Sequence, residues 1–174
     1  MKPEVRIERV IDGPAEAVFR AWTTADGMRQ WWGPGGFTTP HAEIDLRPGG
    51  AYLLIMQPPE GAPLELRGTY REIVRPRRLV YTWRWAAGVP DSHESVVTVE
   101  FEDLGSRTKV IVVHAELDDE SPTDPYEFGW QSGLDKLAIY VAASPTSHEE
   151  GTMPHAEHRV AIKRSAAAVF GVFS

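Results

Sequence analysis

The chain has 174 residues, 42% hydrophobic and 25% charged, with a net charge of −7 and no cysteine. That length holds one domain with a sizeable core and a tail. The negative charge opposes nucleic-acid binding, which rests on clustered Lys and Arg, and the lack of cysteine removes disulfides, thiol nucleophiles and thiolate-held metals.

Residues 4–11 alternate apolar and charged side chains as a half-buried strand does. Asp12-Gly13-Pro14 then changes the period, and Ala15, Val18, Phe19 and Trp22 follow at helical spacing, with Pro14 expected at the first helical position. Thr24 is suited to cap a second short helix through Met28, Trp31 and Trp32, which Gly33-Pro34-Gly35-Gly36 breaks.

From there to about residue 114, turn signals at Pro48-Gly49-Gly50, Pro58-Pro59-Glu60-Gly61, Arg75-Pro76, Gly88-Val89-Pro90-Asp91 and Leu104-Gly105-Ser106 punctuate apolar runs. Their spacing predicts an antiparallel meander of about six strands. Alternation assigns Leu79, Tyr81, Trp83 and Trp85 to the inner face, with Val97, Val99, Phe101 and then Thr108, Val110, Val112 and His114. Arg75, Arg77 and Arg78 read as exposed charges at a tight turn rather than a nucleic-acid site.

Asp124-Pro125 predicts the start of a long helix that ends at Ser144-Pro145 and carries Tyr126, Trp130, Leu134, Leu137 and Val141 on one stripe. Gly129 and Gly133 lie beside the stripe, where each costs roughly 1 kcal/mol against Ala and suggests close backbone approach or space left for something else. Residues 145–158 read as a polar linker. Residues 159–174 read as a strand and helix, in which Ala166-Ala167-Ala168-Val169-Phe170 echoes Ala15-Glu16-Ala17-Val18-Phe19. A truncated second copy and a self-associating segment are both open readings of this tail, and chance similarity is a third.

Candidate chemistry is sparse. His41, Glu43 and Asp45 alternate along a strand as a solvated face does, and His148, His155 and His158 lack the spacing of a metal site, so no metal and no cofactor is assigned. His114 has the chemistry to exchange a proton with a ligand, and so does Glu72 if it shares the inner face with Tyr70; a satisfied core histidine and an exposed carboxylate are the simpler accounts. No nucleophile elbow or phosphate-binding loop is present. No residue is assigned a catalytic role. Trp31, Trp32, Tyr70, Tyr81, Trp83, Trp85, Phe101, His114, Trp130 and Leu134 are the candidate cavity residues, with ordinary core packing as the competing reading.

Six segments carry a resemblance: residues 14–22, Gln30-Trp31-Trp32-Gly33-Pro34, Leu46-Arg47-Pro48-Gly49-Gly50, Gly68-Thr69-Tyr70-Arg71-Glu72-Ile73, Arg78-Leu79-Val80-Tyr81-Thr82-Trp83 and Gly129-Trp130. In this order the chain resembles the activator of heat-shock protein 90 ATPase homologue family. That family falls in the helix-grip superfamily, with lipid-transfer START domains, polyketide cyclases and birch pollen allergen. The resemblance implies an α+β helix-grip fold over residues 1–144: a curved seven-stranded antiparallel sheet around a long C-terminal helix, with two short helices after the first strand. Many such relatives have a His shortly before the Gly-Trp pair; here the residues are Tyr126, Glu127 and Phe128.

The fold and the aromatic set together lead us to expect a binding protein for a small hydrophobic or aromatic molecule, a lipid included, acting as carrier or sensor. A cyclase- or aromatase-like enzyme and a co-chaperone are the alternatives. No stretch reaches the roughly 18 apolar residues of a membrane helix. The first residues lack the apolar run of a secretory signal, so a cytoplasmic protein without membrane insertion is expected.

Overall fold

The computed structural model describes residues 3–87, 93–118 and 123–143. The chain divides into two units, Met1–Ala142 and Ala143–Ser174, and the first is the one described below. The expected linker at 145–158 and tail at 159–174 lie outside the described residues.

Strand β1 (Val5–Ile11) leads into helices α1 (Ala15–Thr23) and α2 (Ala25–Trp31), then β2 (Thr38–Ile44), β3 (Ala51–Gln57), β4 (Leu64–Val74), β5 (Arg78–Ala87), β6 (Ser95–Asp103), β7 (Thr108–Ala115) and α3 (Asp124–Ala143). The seven strands form one antiparallel sheet in the order β1-β7-β6-β5-β4-β3-β2. Strands β2 to β7 are the expected meander, and β1 closes it by pairing with β7. This is the α+β helix-grip architecture.

Two helix starts differ from expectation by one residue. Pro14 is the N-cap of α1, with an extended ψ of 155°, and its carbonyl accepts the Ala17 and Val18 N–H groups at 3.0 and 3.1 Å. Helix α3 already includes Asp124, because the Thr123 carbonyl accepts the Glu127 N–H at 3.0 Å. Thr24 caps α2 as its position predicts, its hydroxyl accepting the Gly27 N–H at 3.1 Å.

Side-chain parity builds the core. One inward row crosses the sheet from Val5 through His114, Val97 and Tyr81 to Tyr70, and every one of these side chains is buried. Gly68 next to that row is obligatory, since a Cβ there would meet the Thr82 carbonyl oxygen at 2.0 Å and the Tyr52 ring at 2.5 Å. The freed space lets the Tyr52 hydroxyl donate to that carbonyl at 2.6 Å.

A register shift between Tyr70 and Glu72 changes the parity of β4. Glu72 therefore pairs opposite Val80 and is exposed, 3.3 Å from Arg78, and does not join Tyr70 on the inner face. The nearby arginines serve the fold: Arg78 also binds Glu100 at 2.7 Å, and Arg75 binds Glu16 and lies 5.5 Å over the Phe19 ring. Among the described residues, no helix is long and apolar enough to cross a membrane.

Candidate functional site

A cavity of about 180 Å³ lies between α3, the meander and the α2–β2 connection. Trp31 and Trp32 reach it from the end of α2, Gly33, Pro34 and Phe37 from the loop, Met56 and Leu64 from β3 and β4, and Trp83 and Trp85 from β5. Helix α3 contributes Pro125, Tyr126, Gly129, Trp130 and Gly133. Among the described residues, no lining side chain carries a charge at neutral pH. Five of the fourteen lining residues are Gly or Pro, which cannot extend a side chain to fill the space, and the indoles opposite them are rigid.

The rings brace one another. Trp32, Trp83 and Trp130 form a triangle with centroids 5.8, 5.6 and 5.4 Å apart, distances at which aromatic pairs attract beyond their buried area. Phe37, Leu64, Trp85 and Tyr126 stay partly exposed, as does the lining proline Pro34, and Pro125 is exposed, whereas Trp31, Trp32, Met56, Trp83 and Trp130 are buried.

Of the ten candidate cavity residues, Trp31, Trp32, Trp83, Trp85 and Trp130 line this space. The structure places the other five in packed core. Tyr70 and Tyr81 join Tyr52 in a separate ring cluster, with centroids 5.4 to 6.0 Å apart, where burial raises all three phenols well above their ordinary range. Phe101 packs edge-on to Phe19 and Trp22 at 5.5 and 5.6 Å. Leu134 is fully buried.

His114 stands one layer behind the cavity wall, its ring 4.6 Å from Trp83, 4.9 Å from Tyr126 and 6.1 Å from Trp130. The Trp130 indole donates to its Nδ1 at 3.2 Å, so Nδ1 is the acceptor, and Nε2 carries the hydrogen toward Ser95 Oγ at 2.7 Å. Burial holds its pKa down to about 3. It is therefore neutral, doubly engaged and a strut between β6, β7 and α3.

Lys136 was not singled out by the sequence, yet it organises the α2–β2 loop. Its Nζ donates to the carbonyls of Trp32, Gly33, Pro34 and Phe37 at 3.3, 3.1, 3.3 and 3.1 Å, and burial lowers its pKa to about 8. Gly33 makes the convergence possible, with a φ of 101° that other residues rarely adopt. Gly35 N–H donates to Ser132 Oγ on α3, and Thr39 Oγ1 donates to the Trp32 carbonyl at 2.9 Å. The loop had read as a helix break. In the fold it is the part of the wall that lysine holds against α3.

No titratable set in the described residues has metal-binding geometry. His41 and Glu43 meet each other at 2.6 Å and are exposed, and Asp45 pairs with Arg47 at 2.9 Å. The solvated-face reading of that strand describes them.

Comparison with known proteins gives the same architecture. No curated protein matches the chain. A protein of Chromobacterium violaceum of known crystal structure is 30% identical, superposes with a TM-score of 0.73, and is matched over 98% of its length and 81% of this chain. The AHSA1 protein of Silicibacter pomeroyi is also 30% identical, with a TM-score of 0.71 over 98% of its length and 80% of this chain. The family model for activator of Hsp90 ATPase homolog 1-like protein matches residues 12–142, which takes in every element from α1 to β7, all of α3 but its last residue, and the described cavity lining from Trp31 to Gly133. The chain belongs to that family.

Proposed function

We propose that this protein binds a small, uncharged hydrophobic or aromatic molecule in the cavity between α3 and the meander, as a carrier or sensor. The observation that carries the reading is a space of about 180 Å³ walled by five tryptophans and by glycines and prolines that leave it unfilled. An apolar cavity of about 150 Å³ is enough to admit benzene, so the size favours a molecule of one or two rings over a long acyl chain. An anion is disfavoured, because a buried charge with no partner is costly.

A cyclase- or aromatase-like activity draws little support from the lining, whose only titratable side chain among the described residues is Tyr126. His114 is engaged through both ring nitrogens behind the wall.

Native mass spectrometry of gently purified protein, joined to thermal unfolding against a panel of one- and two-ring compounds, tests the proposal. A ligand at about a hundred times its Kd stabilises the fold by about 2.7 kcal/mol, a rise in Tm of roughly 5–10 °C for a chain of this size. An empty cavity in the mass spectrum together with a flat Tm across the panel would remove the reading.

A further inference from the structure

Three consecutive carbonyl oxygens do not ordinarily meet at one point, since they alternate in direction along an extended chain and run parallel to the axis in a helix. In the α2–β2 loop, the Trp32, Gly33 and Pro34 oxygens converge on Lys136 Nζ at 3.3, 3.1 and 3.3 Å, and Phe37 adds a fourth at 3.1 Å. The curl that allows this runs from an extended Trp32, with a ψ of 145°, through the positive φ of Gly33 and Gly36, 101° and 89°, which glycine adopts freely. Two of the oxygens have a second donor that holds them in position, Thr39 Oγ1 at 2.9 Å on Trp32 and the Phe37 N–H at 3.0 Å on Pro34.

An ammonium has three hydrogens for these four oxygens, so at least one hydrogen is shared, and the charge rather than one-to-one bonding accounts for the shell. Carbonyl oxygens gathered in this way repel one another unless a cation lies between them, the arrangement by which backbone carbonyls replace the hydration shell of a monovalent ion. Residues 32–37 carry no charged side chain, and the adjacent Asp135 is taken by Arg9 at 2.6 Å. Backbone dipoles therefore meet the positive charge. They belong to the cavity wall, because Trp32, Gly33, Pro34 and Phe37 all line the cavity.

We propose that the α2–β2 loop is a cation site for a small primary ammonium, which the chain fills with its own Lys136, and that the charge there holds the cavity in its binding shape. Lys136 is thus a positioning residue, acting on the ligand through the four residues whose carbonyls it gathers. The coupling to ligand binding rests on the cavity reading above, whereas the cation site stands on the loop alone.

The test uses the full chain with Lys136→Ala, which removes the ammonium and leaves a good helix former. Thermal unfolding at pH 7 is compared in ammonium chloride and in tetramethylammonium chloride at equal concentration, with the natural chain as reference. Tetramethylammonium carries the charge but has no N–H and is too bulky for the cage. Ammonium at about ten times its Kd should raise the Tm of the variant by roughly 3–5 °C over tetramethylammonium, and leave the natural chain, whose cage is filled, unchanged. In calorimetric titration, indane, a two-ring hydrocarbon, should bind the variant about tenfold more weakly than the natural chain and regain affinity in ammonium. Lys136→Met keeps a long stem without the charge and should be impaired as Lys136→Ala is.

If Lys136→Ala is unfolded in tetramethylammonium, circular dichroism in the same two salts reads its folding, and recovery in ammonium alone is the expected result. An equal response to both salts, or a Lys136→Met that binds indane like the natural chain, would overturn the charge-held site. If indane and the wider ring panel fail to bind the natural chain while ammonium still selectively stabilises Lys136→Ala, the cation site stands, and the cavity reading falls together with the coupling.

Discussion

His114 illustrates how burial sets the role of a titratable residue. At 0% exposure, with Nδ1 accepting from Trp130 and Nε2 donating to Ser95, its imidazole is stable only in the neutral form. Its pKa falls from an ordinary 6.5 to about 3, so between those values the unfolded chain takes up a proton that the fold refuses. Its contribution to stability is therefore complete above about pH 6.5 and is lost as the pH falls toward 3. The limiting slope is roughly 1.4 kcal/mol per pH unit. Urea unfolding from pH 8 to pH 4 should show this loss in the natural chain and a flatter profile in His114→Gln. That variant should also be less stable at pH 7 by roughly 1–3 kcal/mol, since its neighbours' hydrogen bonds are remade imperfectly. Parallel profiles would assign the acid sensitivity to other groups. The strand pattern placed this side chain on the inner face, but the Trp130 and Ser95 partners come from elements 16 and 19 residues away.

At the scale of elements, α3 shows what periodicity captures. Trp130, Leu134, Leu137 and Val141 from the expected stripe are buried, whereas Phe128 and Ile139 on the other side are 67% and 70% exposed. Gly129 and Gly133 stand where the helix forms the cavity wall. A methyl group added at Gly133 would sit 3.7 Å from the Gly33 carbonyl oxygen and 3.9 Å from Trp31, ordinary contact distances. Gly133→Ala should therefore raise stability by roughly 0.5–1 kcal/mol, the gain in helix propensity. Gly133→Leu should remain folded, fill the space and abolish ligand-induced Tm shifts. If the alanine variant proves destabilising, the space beside α3 is smaller than the geometry indicates. Strand β4 shows the opposite case: alternation gives Tyr70 and Glu72 one face, and the register shift between them sends Glu72 outward. An extra residue in a ladder leaves little trace in a hydrophobicity pattern, because its cause lies in pairing with the next strand.

At the scale of the whole molecule, every lining residue of the cavity among the described residues lies between Trp31 and Gly133. Removal of residues 145–174 should accordingly leave the affinity of the cavity for a ring ligand unchanged. If the tail is a self-associating segment, one of the three readings its sequence leaves open, the same deletion should lower the solution mass measured by light scattering. An unchanged mass would remove that association reading. The amino-acid sequence by itself determined the order of elements and the inward faces of β5, β6 and β7, because alternation, helical spacing and turn residues are local properties, and its motif segments carried the resemblance to the family. It also marked which aromatic rings face inward. Only the tertiary structure decided which of those rings border a cavity and which pack solidly, for two reasons. The space depends on glycines and prolines brought together from α3 and the α2–β2 loop, and it depends on Lys136 holding that loop through four carbonyls about a hundred residues away in the chain.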